Sequence, residues 1–373
     1  MTSMTPTKAD IKWMKRCLLL AQKGMGLCSP NPMVGSVIVD GTGKKISEGF
    51  HKGKGTLHGE QDALAKAKRS VKGATLYVNL EPCKHKTGGR HPCTQAIIEA
   101  GIKRVVYGVA DPIKAHGGGA AVLKKKGLEV FGPLLEEEAV HLNRGFLKHS
   151  IKGTPYIIGK VAMSLNGCVS TSKGESKWIT SESARKNGRQ YRVFCDGILV
   201  GINTVINDNP RLTARDQKEG HDPIRIVLDS RLRTPLESKL LPSNCQSNAR
   251  VIVACLHNAS MKKKTRLESA GAEVWSFGGG SHKTIPIAPL LKKLGRSNVL
   301  SLLVEGGPTV LGQFISERQL DELVIYTAPK LIVGGKNWLS GEKLKSLGSA
   351  PTWVRYGGIE SLAGDTKMVF RLQ

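Results

Sequence analysis

The chain has 373 residues, 40% of them hydrophobic and 23% charged, with a formal net charge of +26. That length suggests two domains, and no run approaches the ~20 apolar residues of a membrane-spanning helix, so a cytoplasmic enzyme without a signal peptide or membrane partner is expected. Eight cysteines spread over the chain are too sparse for a disulfide scaffold and suit reduced thiols. The positive excess is even, +13 within residues 1–152 and +13 beyond them. A field of that sign draws in polyanions, phosphate-bearing small molecules and nucleic acid alike. A basic surface that serves only solubility has the same composition.

Apolar groups at Ile11, Met14, Leu18 and Ala21 predict a helix over 8–22. The prolines of Ser29-Pro30-Asn31-Pro32 exclude helix there and leave Asn31 on a rigid loop, either as a turn or as a contact to a polar substrate edge. Strands are expected at 34–39, 44–50, 74–79, 104–109 and 128–131, with helices at 60–68, 94–100 and 119–126 between them. Alternating elements with short connections predict a three-layer α/β/α unit. A helix opens at Glu136-Glu137-Glu138 and runs through Phe146 until Gly153 breaks it. The domain boundary is placed near Ile151, giving domains 1–151 and 152–373. Beyond it, strands at 156–163, 197–201, 224–229, 251–254, 273–276, 302–305 and 322–326 alternate with helices, so the second domain is also α/β. No G-x-G-x-x-G follows its first strand, which argues against an ordinary dinucleotide-binding fold. Lys124–Lys126 and Lys262–Lys264 read as solvated helix faces.

The chemistry concentrates between His58 and Cys93. His58, Cys83 and Cys93 are one imidazole and two thiols, each placed where a strand gives way to a helix. That set fits a catalytic zinc, which takes three protein ligands and leaves a fourth position for water. Glu60, two residues after His58, is the carboxylate to move protons at such a centre, and H-x-E…P-C is the pattern of zinc-dependent base deaminases. Two buried thiols and a chance histidine are the bland alternative. In the second half, Glu305-Gly306-Gly307-Pro308-Thr309 follows a strand and opens a helix, either as a phosphate cradle or as a simple Gly-Gly turn.

These motifs carry a family resemblance. Ser29–Gly35, His58-Gly59-Glu60, Glu81-Pro82-Cys83 and Gly89-Arg90…Pro92-Cys93 resemble the deaminase domain of the bifunctional RibD riboflavin-biosynthesis family. Lys160–Gly167, Gly174–Thr180, Asp208–Thr213 and Glu305–Thr309 resemble its reductase domain, and together the motifs span roughly residues 8–370 in family order. The chain departs from the family's usual pattern at Gly59, usually alanine, in a Cys83–Cys93 gap one residue longer, and at Asn166 and Asn209, usually aspartates.

The resemblance implies a cytidine-deaminase-like α/β/α domain followed by a dihydrofolate-reductase-like α/β domain. It implies zinc on His58, Cys83 and Cys93, and Glu60 as the proton carrier for deamination of a diaminopyrimidinone that bears phosphoribose. Asn31, and more weakly Lys84, His85 and Arg90, would contact base or phosphate, and Asp111 is a neighbour of the site or a turn residue. NADPH would then reduce the ribosyl group, with Asp208 as the assisting acid. Ala162, Trp178, Thr204, Asp208, Ser230, Gly307, Pro308, Thr309, Val310, Leu311, Gly312 and Gln313 would contact the cofactor. Ser176, Arg192, Leu212, Arg215 and Glu305 would contact substrate, the two arginines suiting its phosphate. A homo-oligomer is expected, of unspecified copy number. The competing reading, a nucleic-acid base deaminase, rests on the charge and leaves the second domain unexplained.

Overall fold

The computed structural model describes residues 5–85, 91–113, 117–214, 222–245, 247–278, 283–341 and 346–372. The chain divides into two compact units, Met1–Gly153 and Thr154–Gln373.

The first unit contains α1 (Lys8–Ala21), β1 (Gly35–Val39), β2 (Lys45–Phe50), α2 (Gly59–Ala65), β3 (Thr75–Leu80), α3 (Cys93–Glu99), β4 (Arg104–Val109), α4 (Gly119–Lys125), β5 (Glu129–Phe131), α5 (Glu136–Leu142) and α6 (Arg144–Lys152). Its sheet runs β2-β1-β3-β4-β5, with β1 antiparallel to β2 and β3, and β3, β4 and β5 parallel. Alternation along the strands feeds two cores. Ile38, Leu76 and Val78 pack with Ala63 of α2 and Ile97 of α3, while Val37, Val39 and Tyr77 pack with Met14, Cys17 and Leu20 of α1. Helices thus cover both faces of this sheet. Thr7 and Asp10 start α1 with a reciprocal capping box. The helix expected over 136–153 is broken at Asn143, whose backbone leaves helical geometry at φ −102° and ψ 19°. Apolar spacing continues across the break, so periodicity did not reveal it.

The second unit contains β6 (Tyr156–Ser164), β7 (Cys168–Ser170), α7 (Glu182–Phe194), β8 (Gly197–Gly201), α8 (Ile202–Asp208), β9 (Ile224–Leu228), β10 (Val251–Leu256), α9 (Met261–Ser269), β11 (Glu273–Phe277), α10 (Ile287–Arg296), β12 (Ser301–Val304), α11 (Pro308–Ser316), β13 (Glu322–Ala328), β14 (Lys336–Asn337), β15 (Trp353–Arg355), β16 (Glu360–Leu362) and β17 (Asp365–Leu372). Its main sheet runs β11-β10-β9-β8-β12-β6-β13-β17-β15, with β16 beside β17. The strands from β11 to β13 are parallel, and β17 and its partners antiparallel. Parallel strands are covered on both faces, which is why β8, β10 and β12 are buried along their whole length and read as continuous apolar runs. Ile157, Ile226 and Ile252 enter one core with α10 and α11; their neighbours Ile158, Val227 and Val253 enter the other.

Candidate active sites

The first site assembles where elements of the N-terminal unit begin or end. His58 is the N-cap of α2, extended at φ −66° and ψ 161°, and Glu60 lies in that helix's first turn. β3 leads to Cys83, and Cys93 opens α3. The two cysteines are tied together: Thr94 N and Oγ1 each donate to the Cys83 carbonyl at 3.2 Å, and the Cys93 N–H points at the Cys83 sulfur at 3.5 Å.

His58 Nδ1 lies 3.3 Å from Cys93 Sγ and 3.7 Å from Cys83 Sγ, and all three donor atoms fall within 4.8 Å of one another. Bonds of ~2.0 Å to imidazole and ~2.3 Å to thiolate around a tetrahedral ion separate ligand atoms by roughly 3.5–3.8 Å. Donor chemistry and spacing therefore fit zinc. The Cys93 thiol draws Cys83 down to about 4 against the effect of burial, with His58 helping, while Cys83 pushes Cys93 up. One thiolate is thus favoured before any metal enters.

Glu60 is 3% exposed, and its Oε2 has no hydrogen-bond partner among the described residues. Burial pushes its carboxyl up to about 7 despite the pull of His58. An orphaned carboxylate oxygen beside three metal donors is suited to exchanging protons with a water in the open position. Gly59 has a local reason: a Cβ there would come within 2.9 Å of the Val34 carbonyl oxygen. An alanine at this position has to push Val34 aside.

Asn31 meets the site through a residue that sequence reasoning missed. Asn31 Nδ2 lies 3.2 Å from His51 Nε2, and His51 Nδ1 is held 2.9 Å from the Leu57 carbonyl. The buried His51 ring packs edge-on against His58, centroids 5.5 Å apart. A lone histidine after a strand has no spacing signal, and only the β1–β2 hairpin brings it to Asn31. Asp111 closes a turn, accepting from Ile113 N at 2.9 Å, and its own N–H donates to Glu81 at 3.1 Å. Lys84 is half-buried and His85 exposed. Arg90 lies outside the described residues.

The second site is a cavity of about 550 Å³ in the C-terminal unit. Ala162, Ser176, Trp178, Arg192, Thr204, Asp208, Leu212 and Glu305 all line it. Ser230, which follows β9, lies outside the lining, as do Gly307 and residues 308–313 of α11. Of these, Leu311 faces the core at 1% exposure and Gln313 donates to the Ile285 carbonyl at 2.9 Å. Arg215 lies outside the described residues. Gly307 caps α11, and a Cβ on it would meet nothing within 4 Å; Pro308 has no N–H, and the Val310 and Leu311 amides donate to the Gly307 carbonyl at 3.0 and 3.1 Å, so little of this helix start is left to bind an anion. Trp178, 62% exposed, presents a ring on which the Arg185 guanidinium sits 4.2 Å from the centroid.

Glu305 Oε2 accepts from an Arg192 terminal nitrogen at 2.8 Å, and its Oε1 lies 3.6 Å from Lys160 Nζ. Burial pushes this carboxyl up, but Arg192 and Lys160 outweigh it and hold it at about 2. Arg192 also donates to the Thr213 carbonyl at 3.3 Å, and its buried Nε has no partner among the described residues. It therefore comes to any phosphate already paired with a carboxylate. Lys160 and Tyr326 line the same cavity and were not among the sequence candidates. A lysine inside the apolar strand Tyr156–Ser164 was the available signal for the first.

Fold and sites together define a two-site enzyme, a zinc-type deaminase followed by an α/β reductase. Residues 7–109 match the cytidine and deoxycytidylate deaminase zinc-binding region, and residues 155–368 match the RibD C-terminal domain. The chain belongs to the RibD family of riboflavin-biosynthesis proteins, bifunctional deaminases and reductases that use zinc and NADPH. It is 39% identical over 363 residues to riboflavin biosynthesis protein RibD of Aquifex aeolicus, covering 97% of this chain and 98% of that one. Identity to the Escherichia coli RibD is 35% over 376 residues, with 97% and 95% covered. The Acinetobacter baumannii RibD structure, form 1, matches at TM-score 0.86 and 32% identity, covering 98% of this chain and 99% of that one. A diaminohydroxyphosphoribosylaminopyrimidine deaminase/5-amino-6-(5-phosphoribosylamino)uracil reductase from Thermotoga maritima matches at TM-score 0.84 and 32% identity, with the same coverage.

Proposed function

We propose that this protein deaminates 2,5-diamino-6-(5-phosphoribosylamino)pyrimidin-4(3H)-one at the first site and reduces the ribosyl group of the product to ribityl at the second. The observation that carries the deaminase half is the His58, Cys83 and Cys93 donor set with the orphaned Glu60 Oε2 beside it. Zinc on those three ligands would supply an acidified water as nucleophile. Glu60 takes a proton from that water and returns it to the departing 2-amino group, which leaves as ammonia while the ring gains an oxo group. Asn31, oriented by His51, hydrogen-bonds the polar edge of the pyrimidine.

In the second cavity NADPH supplies the hydride. That hydride would be taken up by C1 of the ring-opened imine as its C=N bond becomes C–N, and Asp208 on the cavity wall is the residue to supply the proton to the nitrogen. Arg192, Ser176, Leu212 and Glu305 line the substrate side. Ala162, Trp178 and Thr204 form the cofactor side, and Ser230 and residues 307–313, which lie beyond the cavity lining, would reach the cofactor only from outside it. We also infer a cytoplasmic location, supported by eight cysteines that form no disulfide with one another. No described helix is long and apolar enough to cross a membrane. A homo-oligomer is supported by apolar side chains left in solvent, Leu331 at 70% and Val333 at 94% exposure, and light scattering tests it.

The test of the whole reading is incubation of zinc-replete protein with the ribotide, with and without NADPH, following ammonia and NADPH together. Ammonia in both arms and NADPH oxidation in one supports it. No ammonia refutes the deaminase assignment, and ammonia without NADPH oxidation refutes the second activity.

A further inference from the structure

Asn31 stands between two prolines, which have no N–H to anchor the loop. The Asn31 N–H itself donates to the Cys28 carbonyl at 2.8 Å, and further along the Met33 and Gly35 amides are held by asparagine side chains from distant elements. Met33 N donates to Asn143 Oδ1 at 2.9 Å, and Asn143 Nδ2 donates back to the Met33 carbonyl at 2.9 Å. Asn79 Nδ2 donates to the same carbonyl at 3.0 Å, and Gly35 N donates to Asn79 Oδ1 at 2.7 Å. Asn143 is 2% exposed and Asn79 fully buried. The Asn143 side chain thus pairs with Met33 as one strand residue pairs with another, through two reciprocal bonds. A buried amide is costly unless such bonds are made, so a simple helix break does not call for asparagine at this place.

From Met33 the connection continues to Asn31, from Asn31 to His51 at 3.2 Å, and from His51 to the ring of His58. Asn143 lies well beyond residue 109, where the match to the zinc-binding region ends, at the junction of α5 and α6. We propose that Asn143 is a positioning residue of the deaminase: it fixes Met33 so that the loop presents Asn31 to the pyrimidine. The working deaminase unit then extends to the α5–α6 junction. This rests on the reading of Asn31 as a substrate contact.

Asn143→Asp and Asn143→Ala in the full-length, zinc-loaded protein test it. Aspartate keeps the volume and the acceptor for Met33 N, but sets a carboxylate oxygen against the Met33 carbonyl. The expected result is a deaminase KM raised on the order of tenfold, with kcat within a few-fold, and Asn143→Asp at least as impaired as Asn143→Ala. Zinc content and reductase kinetics stay at wild-type values. Hydrogen exchange at the Met33 amide quickens in Asn143→Ala, which removes its acceptor, while β3 amides keep their rates. A packing role alone predicts the opposite order, with Asn143→Ala the worse. That order, an unchanged KM in both variants, or loss of zinc in step with activity would overturn the proposal. If wild-type protein releases no ammonia from the ribotide, the substrate reading fails. The exchange rates alone then decide the clamp: faster exchange upholds it, unchanged exchange refutes it.

Discussion

Glu60 is a buried carboxylate and Glu305 a mostly buried one, and their neighbours send them in opposite directions. Burial dominates at Glu60 and pushes it up to about 7; at Glu305, Arg192 and Lys160 overcome burial and hold it at about 2. Glu305 is therefore an anion that keeps two cations together. Glu305→Gln should lower reductase kcat/KM by about tenfold or more while ammonia release is unchanged, because it leaves Arg192 and Lys160 facing each other without a counter-charge. Asp10 gives the corresponding stability prediction. Burial pushes its carboxyl up, but Arg104 at 2.7 Å, the Thr7 N–H and the Tyr77 hydroxyl outweigh it and hold it well below the usual carboxylate range. A depressed folded-state pKa stabilises above the unfolded value of ~3.9, and the contribution is lost as pH falls through the folded value. Asp10→Asn should cost about 3 kcal/mol at pH 7, with the gap to wild type narrowing below pH ~4 in denaturant melts. Both networks depend on side chains far apart in sequence, Asp10 with Arg104 and Arg192 with Glu305. His58, Glu60, Cys83 and Cys93 were legible because few other chemistries use those types in that order. His51 and Lys160 acquire meaning only from the fold.

At the scale of elements, legibility followed burial. β4 and β8 fall on the residues that their apolar runs predict, because a strand covered on both faces has one composition to choose from. The C-terminal antiparallel strands β15, β16 and β17 were not predicted: their residues are mostly half-buried or exposed, so no periodic signal marks them. The Asn143 break escaped for another reason. What stops the helix there accompanies a tertiary hydrogen-bond pair to Met33, which local periodicity does not encode. α11 adds a constraint absent from any composition argument. A Cβ at Gly312 would overlap the Ser340 carbonyl, so the helix and the segment after β14 touch backbone to backbone. Gly312→Ala should destabilise the C-terminal unit by about 1–3 kcal/mol and lower the melting temperature of that unit, read by calorimetry.

For the whole molecule, the two motif sets fall in separate compact units, each with its own sheet and cores. Stripping zinc with a chelator should abolish ammonia release while NADPH-dependent reduction of supplied deaminated substrate continues, and restored zinc should restore the first activity alone. The even spread of +26 over both units suits two sites that each handle a phosphate-bearing substrate. In the function proposed above, one chain carries two chemically independent sites, with Glu60 serving only the first. Glu60→Gln keeps the side-chain volume and removes the carboxyl proposed to carry the proton, so ammonia release and NADPH oxidation measured on that one variant decide the matter. The expected result is no ammonia from the diaminopyrimidinone ribotide and wild-type reduction of the supplied deaminated ribotide. Equal loss of both activities in a folded, zinc-loaded variant would contradict it.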